Sequence, residues 1–541
     1  MHHGRRLRKY WQRALPIALG ILLLVGIVGV SQEARVFEFC SESEIKTLDP
    51  HSHGDFLRFV TSANMFDGLT RWQDQPGSLE PWLAVSWESN ADATVWTFHL
   101  REGVHFHDGS EMTSEDVIYS IERLLYGGQG YAGTLGSVIV PGSTVATGPY
   151  TVVFNLTKPY SVFPLLSQFI FVLNKDVLER NEVNGDYGAT WLAQAGSSLG
   201  VDGVGTGAYV LTEWVPGNYL TFEPFPDFWK GWDQPHMKAV RITVVHEIAT
   251  RVLGLKSGQF HYASATVTYD IWQDMLESDL LVPIEEPFPK VYYVSYNNMR
   301  LPTSDLHFRR AISYLIDYDT FIDVIAHGFF DRNIGYIPRL LTGSLDPATE
   351  PFYYTFDPEK ADEELAQVPF DYTEYELVFG IESGYAEHKM LAEMIIYELE
   401  KRGITARMEL ATWPTWVEAV SDPATAYHVA PMGLSPLYLD PDHFSRLADP
   451  RGFGQYFGAA WYENPAITEL HMQALETTDP EVRADLYEQA QRIEISEAGH
   501  SWIGQQKYIT AINKDIGGLD NFSPYGALME FREIYFTSEW E

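Results

Sequence analysis

Between Trp96 and Leu125 the chain changes its hydrophobic period from two to about 3.6, which restricts it to folds that layer helices on sheets. Trp96, Phe98 and Leu100 alternate with Thr97, His99 and Arg101, the pattern of a half-buried strand. Asp108-Gly109 marks a turn. Thr113 then stands before Asp116 in the manner of a capping box, and Val117, Ile118, Ile121, Leu124 and Leu125 fall at helical spacing.

The same alternation runs to the C-terminus. Strands are predicted at Val36–Phe39, Tyr150–Leu156, Ala208–Trp214, Tyr219–Glu223, Val240–Val244, Val291–Asn297, Glu376–Ile381, Ile404–Leu410, Tyr508–Ile512 and Phe531–Phe536. Helices are predicted at Ala249–Gln259, at Phe308–Ile316, from Asp319 to near Gly328, and at Leu391–Arg402 with Gly403 closing it. Asp479-Pro480 opens a last long helix, expected to bury Val482, Leu486 and Ile493. Gly127 to Gly148 is rich in Gly, Ser and Thr and reads as a loop. The result is an α/β chain with no single linker, as expected if it passes between two lobes more than once.

Arg5, Arg6, Arg8, Lys9 and Arg13 precede an apolar run from Pro16 to Val30. That order predicts a secretory signal over residues 1–34, and the run is shorter than the roughly 20 residues of a membrane span. An uncleaved anchor is the alternative. The single cysteine, Cys40, follows Val36-Phe37-Glu38-Phe39, which does not read as a lipid-attachment sequence, and is expected to be a buried thiol. A net charge of −37 argues against nucleic acid and anionic membrane surfaces as partners.

Gly205-Thr206-Gly207 opens a strand rather than a helix and is no dinucleotide fingerprint. No Ser/His/Asp order, HExxH or phosphate-binding loop appears, so the reading is a binding protein without cofactor or metal; a secreted hydrolase is the alternative from a different class. His105-Phe106-His107-Asp108 and Asp440-Pro441-Asp442-His443 have metal-like composition but read as a strand-end turn and a loop. Arg309 and Arg310 are expected on an outer helix face.

The chain resembles family 5 extracellular solute-binding proteins, the peptide and nickel receptors of ABC importers, over almost its whole length. The resemblance is carried by LDPH at Leu48, FDGLT at Phe66, LEPWLAVSWE at Leu79, LREGVHFHDG at Leu100, SEDVIYSIER at Ser114, GTGAYVL at Gly205, SYNNMRLPTSDLHFRRAISYLID at Ser295 and RADLYEQAQRI at Arg483, in the family's order. It is similar above all to the dipeptide-binding branch.

That resemblance implies a two-lobed periplasmic binding protein with discontinuous lobes and an extra inserted subdomain. Lobe I would comprise 35–75, 200–293 and 505–541, the subdomain 76–199, and lobe II 294–504. It implies a monomer that closes on a peptide or other small solute, then docks on an ABC permease served by ATPase subunits. The implied solute contacts are Ser52, His53 and Gly54 after the LDPH segment, Trp413, and the loop of Met432, Gly433, Leu434, Ser435 and Leu437 before Asp440. Leu437 stands where peptide binders of this family place an aspartate for the ammonium, and Glu382-Ser383-Gly384-Tyr385 where they place an arginine for the carboxylate. Asp440, Asp442 or Glu382 would have to take the ammonium, or the cargo is not zwitterionic. Trp413, Trp416, Tyr385 and Tyr438 would equally suit an oligosaccharide, an aromatic solute or a cation.

Overall fold

The computed structural model describes residues 35–52, 56–72, 78–193, 203–264, 267–519 and 529–540. The signal expected over 1–34 and the site residues His53 and Gly54 lie outside the described residues. Among the described residues no helix is long and apolar enough to cross a membrane.

Two sheets organise the two lobes. In the first, the strand Phe37–Ser41 runs parallel to Val240–Val244 on one side and to Tyr262–Ala263 on the other, and Tyr219–Pro224 and Tyr209–Val215 continue it as antiparallel neighbours. The second has the order Phe330–Arg332, His500–Asn513, Leu281–Tyr296, Val429–Leu434, Glu376–Glu382, Thr405–Ala411. A separate four-stranded antiparallel sheet is built from Ala84–Ser89, Val95–Leu100, Thr151–Asn155 and Thr144–Gly148. Its inward residues Trp96, Phe98, Leu100, Val152 and Phe154 are buried, as the period-two pattern requires.

The long strands Leu281–Tyr296 and His500–Asn513 pair antiparallel along nearly their full length, with register shifts between Pro287 and Lys290 and between Tyr292 and Tyr293. Such irregularities bend a ladder locally. Leu281 and Ala511 pack into a small core with Cys40, Leu255, Phe260, Ala263 and Met275, while Val291, Tyr293 and Trp502 belong to the main core. The two strands thus contribute to both cores. Cys40 lies inside that small core with its thiol pushed up to about 12 by burial, which leaves little reactive thiolate.

The helix Ser114–Gly127 starts at the expected capping box: the Thr113 hydroxyl accepts from Glu115, and the Asp116 carboxylate accepts from the Thr113 backbone N–H at 2.8 Å. Gly128 closes it with φ 62°. Three expectations need correction. The segment 127–148 is not one loop but holds the short helix Ala132–Leu135 and the strand Thr144–Gly148. Helix Pro480–Glu497 leaves Val482 exposed, packs Leu486 and Ile493 half-buried against the core, and buries Tyr487, Ala490, Gln491, Glu494 and Ile495 more deeply, because the polar members have partners: Gln491 donates to the Gly343 carbonyl, and Glu494 accepts from Trp502 and pairs with His500. Arg309 is not on an outer face; it is buried and donates to the carbonyls of Thr303, Ser304, Glu497 and Ala498.

Candidate solute-binding crevice

In parallel α/β sheets a crevice opens at the carboxyl ends of the strands where successive connections diverge. Each lobe has one. In the first sheet the chain passes from Val240–Val244 through helix Ile248–Ser257 to Tyr262–Ala263, crossing over Phe37–Ser41. The divergence lies beyond Ser41, at Glu42, whose carboxylate accepts from Arg251 at 3.0 Å while that guanidinium also holds the Val245 and His246 carbonyls. In the second sheet the chain leaves Glu376–Glu382 through helix Ala386–Glu400 to Thr405–Ala411. It then returns through helix Trp413–Val420 to Val429–Leu434 on the opposite side. The divergence lies between the ends of Glu376–Glu382 and Val429–Leu434. The charge of Glu42, beyond the first sheet, acts with that of Glu382 on the Tyr385 phenol beyond the second, whose pKa burial raises first.

Glu382 ends its strand half-buried, and Gly384 turns the chain with φ 106° into Tyr385, the residue before helix Ala386–Glu400. Lys290 enters from Leu281–Tyr296, on the far side of Val429–Leu434 in the sheet. A Cβ on Gly433 would stand 2.6 Å from Lys290 Cε and 3.1 Å from Tyr292 Cδ2, so the glycine is the notch through which the lysine stem passes. Its ammonium lies 5.3 Å from the Tyr385 ring centre and 5.8 Å from that of Tyr292. Burial lowers the Lys290 pKa, against the opposing pull of Glu387 and Glu382. Burial raises that of Glu382, against Lys290. His388 stacks on Tyr385 at 4.8 Å, and neither of its buried ring nitrogens has a hydrogen-bond partner; burial and then Lys290 bring its pKa down to about 3.

An aromatic wall adjoins this polar group. Trp413 is 41 % exposed, lies parallel to Trp416 at 5.9 Å and meets Tyr456 edge-on at 5.0 Å. Glu382 and Tyr385 both act on the Tyr456 phenol, which burial pushes up to about 12.

The structure therefore brings together Glu382, Tyr385, Trp413 and Gly433. Met432 and Leu434 flank Gly433 with buried side chains; the Tyr293 hydroxyl contacts the Met432 sulfur at 3.7 Å. Ser435 is exposed and Leu437 packs against the core. Ser52 turns back on Asp49, its hydroxyl donating to the Asp49 carbonyl, and Asp49 and His51 are held by Arg123. The carboxylates of Asp440 and Asp442 are already engaged. Asp440 takes both terminal nitrogens of Arg483 at 3.0 and 2.7 Å, and caps the Asp442 N–H. Asp442 accepts from Arg451, Tyr438 and Tyr160; although burial alone would raise its pKa, Arg451 and Arg446 hold it far below the usual carboxylate range. Of the three acids considered for an ammonium, only Glu382 has no hydrogen bond or ion pair among the described residues. Sequence reasoning missed Lys290, His388, Tyr456 and Glu42. A charged residue inside the apolar run Phe288–Tyr293 was the available signal for Lys290.

Residues 78–452 match the family described as bacterial extracellular solute-binding proteins, family 5 Middle. The chain belongs to this family. Among its relatives, the probable D,D-dipeptide-binding periplasmic protein DdpA of Escherichia coli is 29% identical over 482 residues, covering 87% of this chain and 89% of that protein. The periplasmic oligopeptide-binding protein OppA of Salmonella typhimurium is 25% identical over 479 residues, 83% of each chain. Two solved structures share the family 5 fold. DppA from Helicobacter pylori, an ABC transporter-associated periplasmic binding protein in complex with the peptide STSA, superimposes with a TM-score of 0.74 at 22% identity, covering 93% of this chain and 98% of its own. The substrate-binding protein CtaP from Listeria monocytogenes gives 0.80 at 19% identity, covering 93% and 99%. The chemistry gathered at the ends of the second sheet is mixed: a carboxylate, an ammonium, an imidazole without hydrogen-bond partners and stacked indoles.

Proposed function

We propose that the protein is a periplasmic receptor of an ABC importer that captures a peptide or peptide-like solute between its lobes and delivers it to a membrane permease. The observation that carries this reading is the group of Glu382, Tyr385, Lys290 and Gly433 gathered at the strand ends of the second sheet, in which neither Glu382 nor Lys290 has a side-chain hydrogen bond or ion pair among the described residues. Family membership and relatives named for dipeptide and oligopeptide binding support it. The reading includes residues 1–34 as a removed signal, lobe I as 35–75, 200–293 and 505–541, a subdomain at 76–199 and lobe II as 294–504. Glu382, Tyr385, Trp413 and Gly433 are the solute contacts it favours, with the ends of Ser52–Gly54 and Met432–Asp440 as the crevice rim. The ligand acts by making more contacts in the closed arrangement than in the open one.

The exposed Trp413, stacked on Trp416, favours a second reading in which a sugar ring lies on the indole. A thermal-shift panel on ligand-stripped protein separates the two. A ligand at about 100 times its dissociation constant adds about 2.7 kcal/mol. We expect di- to tetrapeptides to raise the melting temperature and oligosaccharides not to; the reverse would replace the peptide reading with the sugar one, and no response to either would remove both.

A further inference from the structure

Several buried or half-buried cations among the described residues have strong partners. Arg123 meets Asp49, Arg483 meets Asp440, Arg451 meets Asp442 and Asp449, and Arg332 donates to four backbone carbonyls. Lys290 departs from this pattern: it has no hydrogen bond or ion pair among the described residues, although Glu382 and Glu387 are near enough to act on its charge. Lys290 is half-buried, with its ammonium over the Tyr385 and Tyr292 rings, and a charge withdrawn from water without a counter-ion is left available for one arriving from outside. Gly433 is required for it to lie where it does, since any side chain there would collide with the lysine stem. His388 stands beside it with two unsatisfied nitrogens, able to donate one N–H in its neutral form. Glu382, on the neighbouring side, is the complementary free acid.

We propose that Lys290 is the anion anchor of the crevice, pairing with the free carboxylate of the bound solute with His388 beside it, while Glu382 receives the ammonium. The substrate class is then a short zwitterionic peptide whose two charged groups are both read by the second lobe. Lys290 and Glu382 form no ion pair with each other, so the ligand bridges a gap that the protein leaves open. This inference rests on the peptide-receptor reading above.

The test uses the mature protein and an enzymatic casein hydrolysate in three forms: untreated, with carboxyl groups methyl-esterified, and with amino groups acetylated. Peptides retained after washing are quantified by mass spectrometry for the wild type, Lys290→Met, Lys290→Gln and Glu382→Gln. We expect the wild type to retain untreated peptides at least about tenfold better than either modified pool, the loss typical of a missing charged hydrogen bond. Both lysine variants should lose the preference for free carboxyls while keeping that for free amines, and Glu382→Gln should do the opposite. Two lysine variants guard against one that misfolds, each checked by its melting curve. Equal retention of esterified and untreated peptides by the wild type, or an unchanged carboxyl preference in a folded lysine variant, overturns the assignment while leaving the receptor for peptides intact. Retention of nothing from any pool overturns the peptide reading and this inference with it.

Discussion

Asp440 and Glu382 are both acids near the crevice, and their neighbours give them different work. Asp440 lies in a two-pronged pair with Arg483, whose backbone is 43 residues away, and also caps a helix start. Replacing it by Asn leaves Arg483 largely buried without a counter-charge. We expect Asp440→Asn to cost about 2 kcal/mol, read as a lower denaturation midpoint in urea; an unchanged midpoint would mean the pair is idle. Glu382 has no such partner, and its removal should leave the midpoint nearly where it was. Gly433 makes the converse point. Gly433→Ala adds a methyl 2.6 Å from Lys290 Cε, and the flexible lysine rather than the strand should yield. We expect solute affinity to fall several-fold in calorimetric titration while unfolding changes by less than about 1 kcal/mol. A large loss of stability with intact binding would show that the backbone moved instead. None of this was legible from residue types alone: Asp440 and Glu382 looked interchangeable until Arg483 was seen on one of them.

At the scale of elements, alternation and caps carried the strands and helix starts well. Val95–Leu100, Glu376–Glu382 and Thr405–Ala411 fall within a residue or two of where period two and Gly403 place them. What failed was any inference that equates buried with apolar. Helix Pro480–Glu497 turns Gln491 and Glu494 inward because carbonyls, an indole and an imidazole await them, and those partners are distant in sequence. The crevice was half legible for a related reason: Trp413 and Glu382 are found through the resemblance to the family, whereas Lys290 reaches them from another strand. One contact between elements has a direct test. The Tyr160 hydroxyl, from the segment expected to form the inserted subdomain, donates to Asp442 at 2.9 Å, and next to it the Ser161 N–H donates to the Leu475 carbonyl at 2.9 Å. If this pair clasps the lobes only on closure, Tyr160→Phe should weaken solute affinity about tenfold with unchanged circular dichroism. A lowered melting temperature with full affinity would place the contact in the open arrangement as well.

For the whole molecule, acidity is the sharpest probe. His51 and His428 are brought down to about 4, and His388 and His443 to about 3; burial is the main cause in each, with a neighbouring cation adding to it. An unfolded chain protonates its histidines near 6.5. The folded protein keeps these four neutral below that point, so the unfolded state binds more protons and gains. Their contribution is complete above about pH 6.5 and is lost progressively as the pH falls toward about 4. We expect the calorimetric melting temperature to drop by several degrees between about pH 7 and about pH 4.5, and replacing His51 by Gln to flatten that slope. A melting temperature independent of pH over that interval would contradict the assignment.

The pairing of Leu281–Tyr296 with His500–Asn513 also sets an order of assembly. A nascent chain that has emerged only as far as Gly499 has one edge of Leu281–Tyr296 bare, with its backbone donors and acceptors open to any other strand. This ladder is completed only by residues more than two hundred positions downstream. Native closure of this ladder must therefore wait until translation is nearly finished, and a chain terminated before His500 would carry an open strand edge prone to aggregation rather than form a working half-protein.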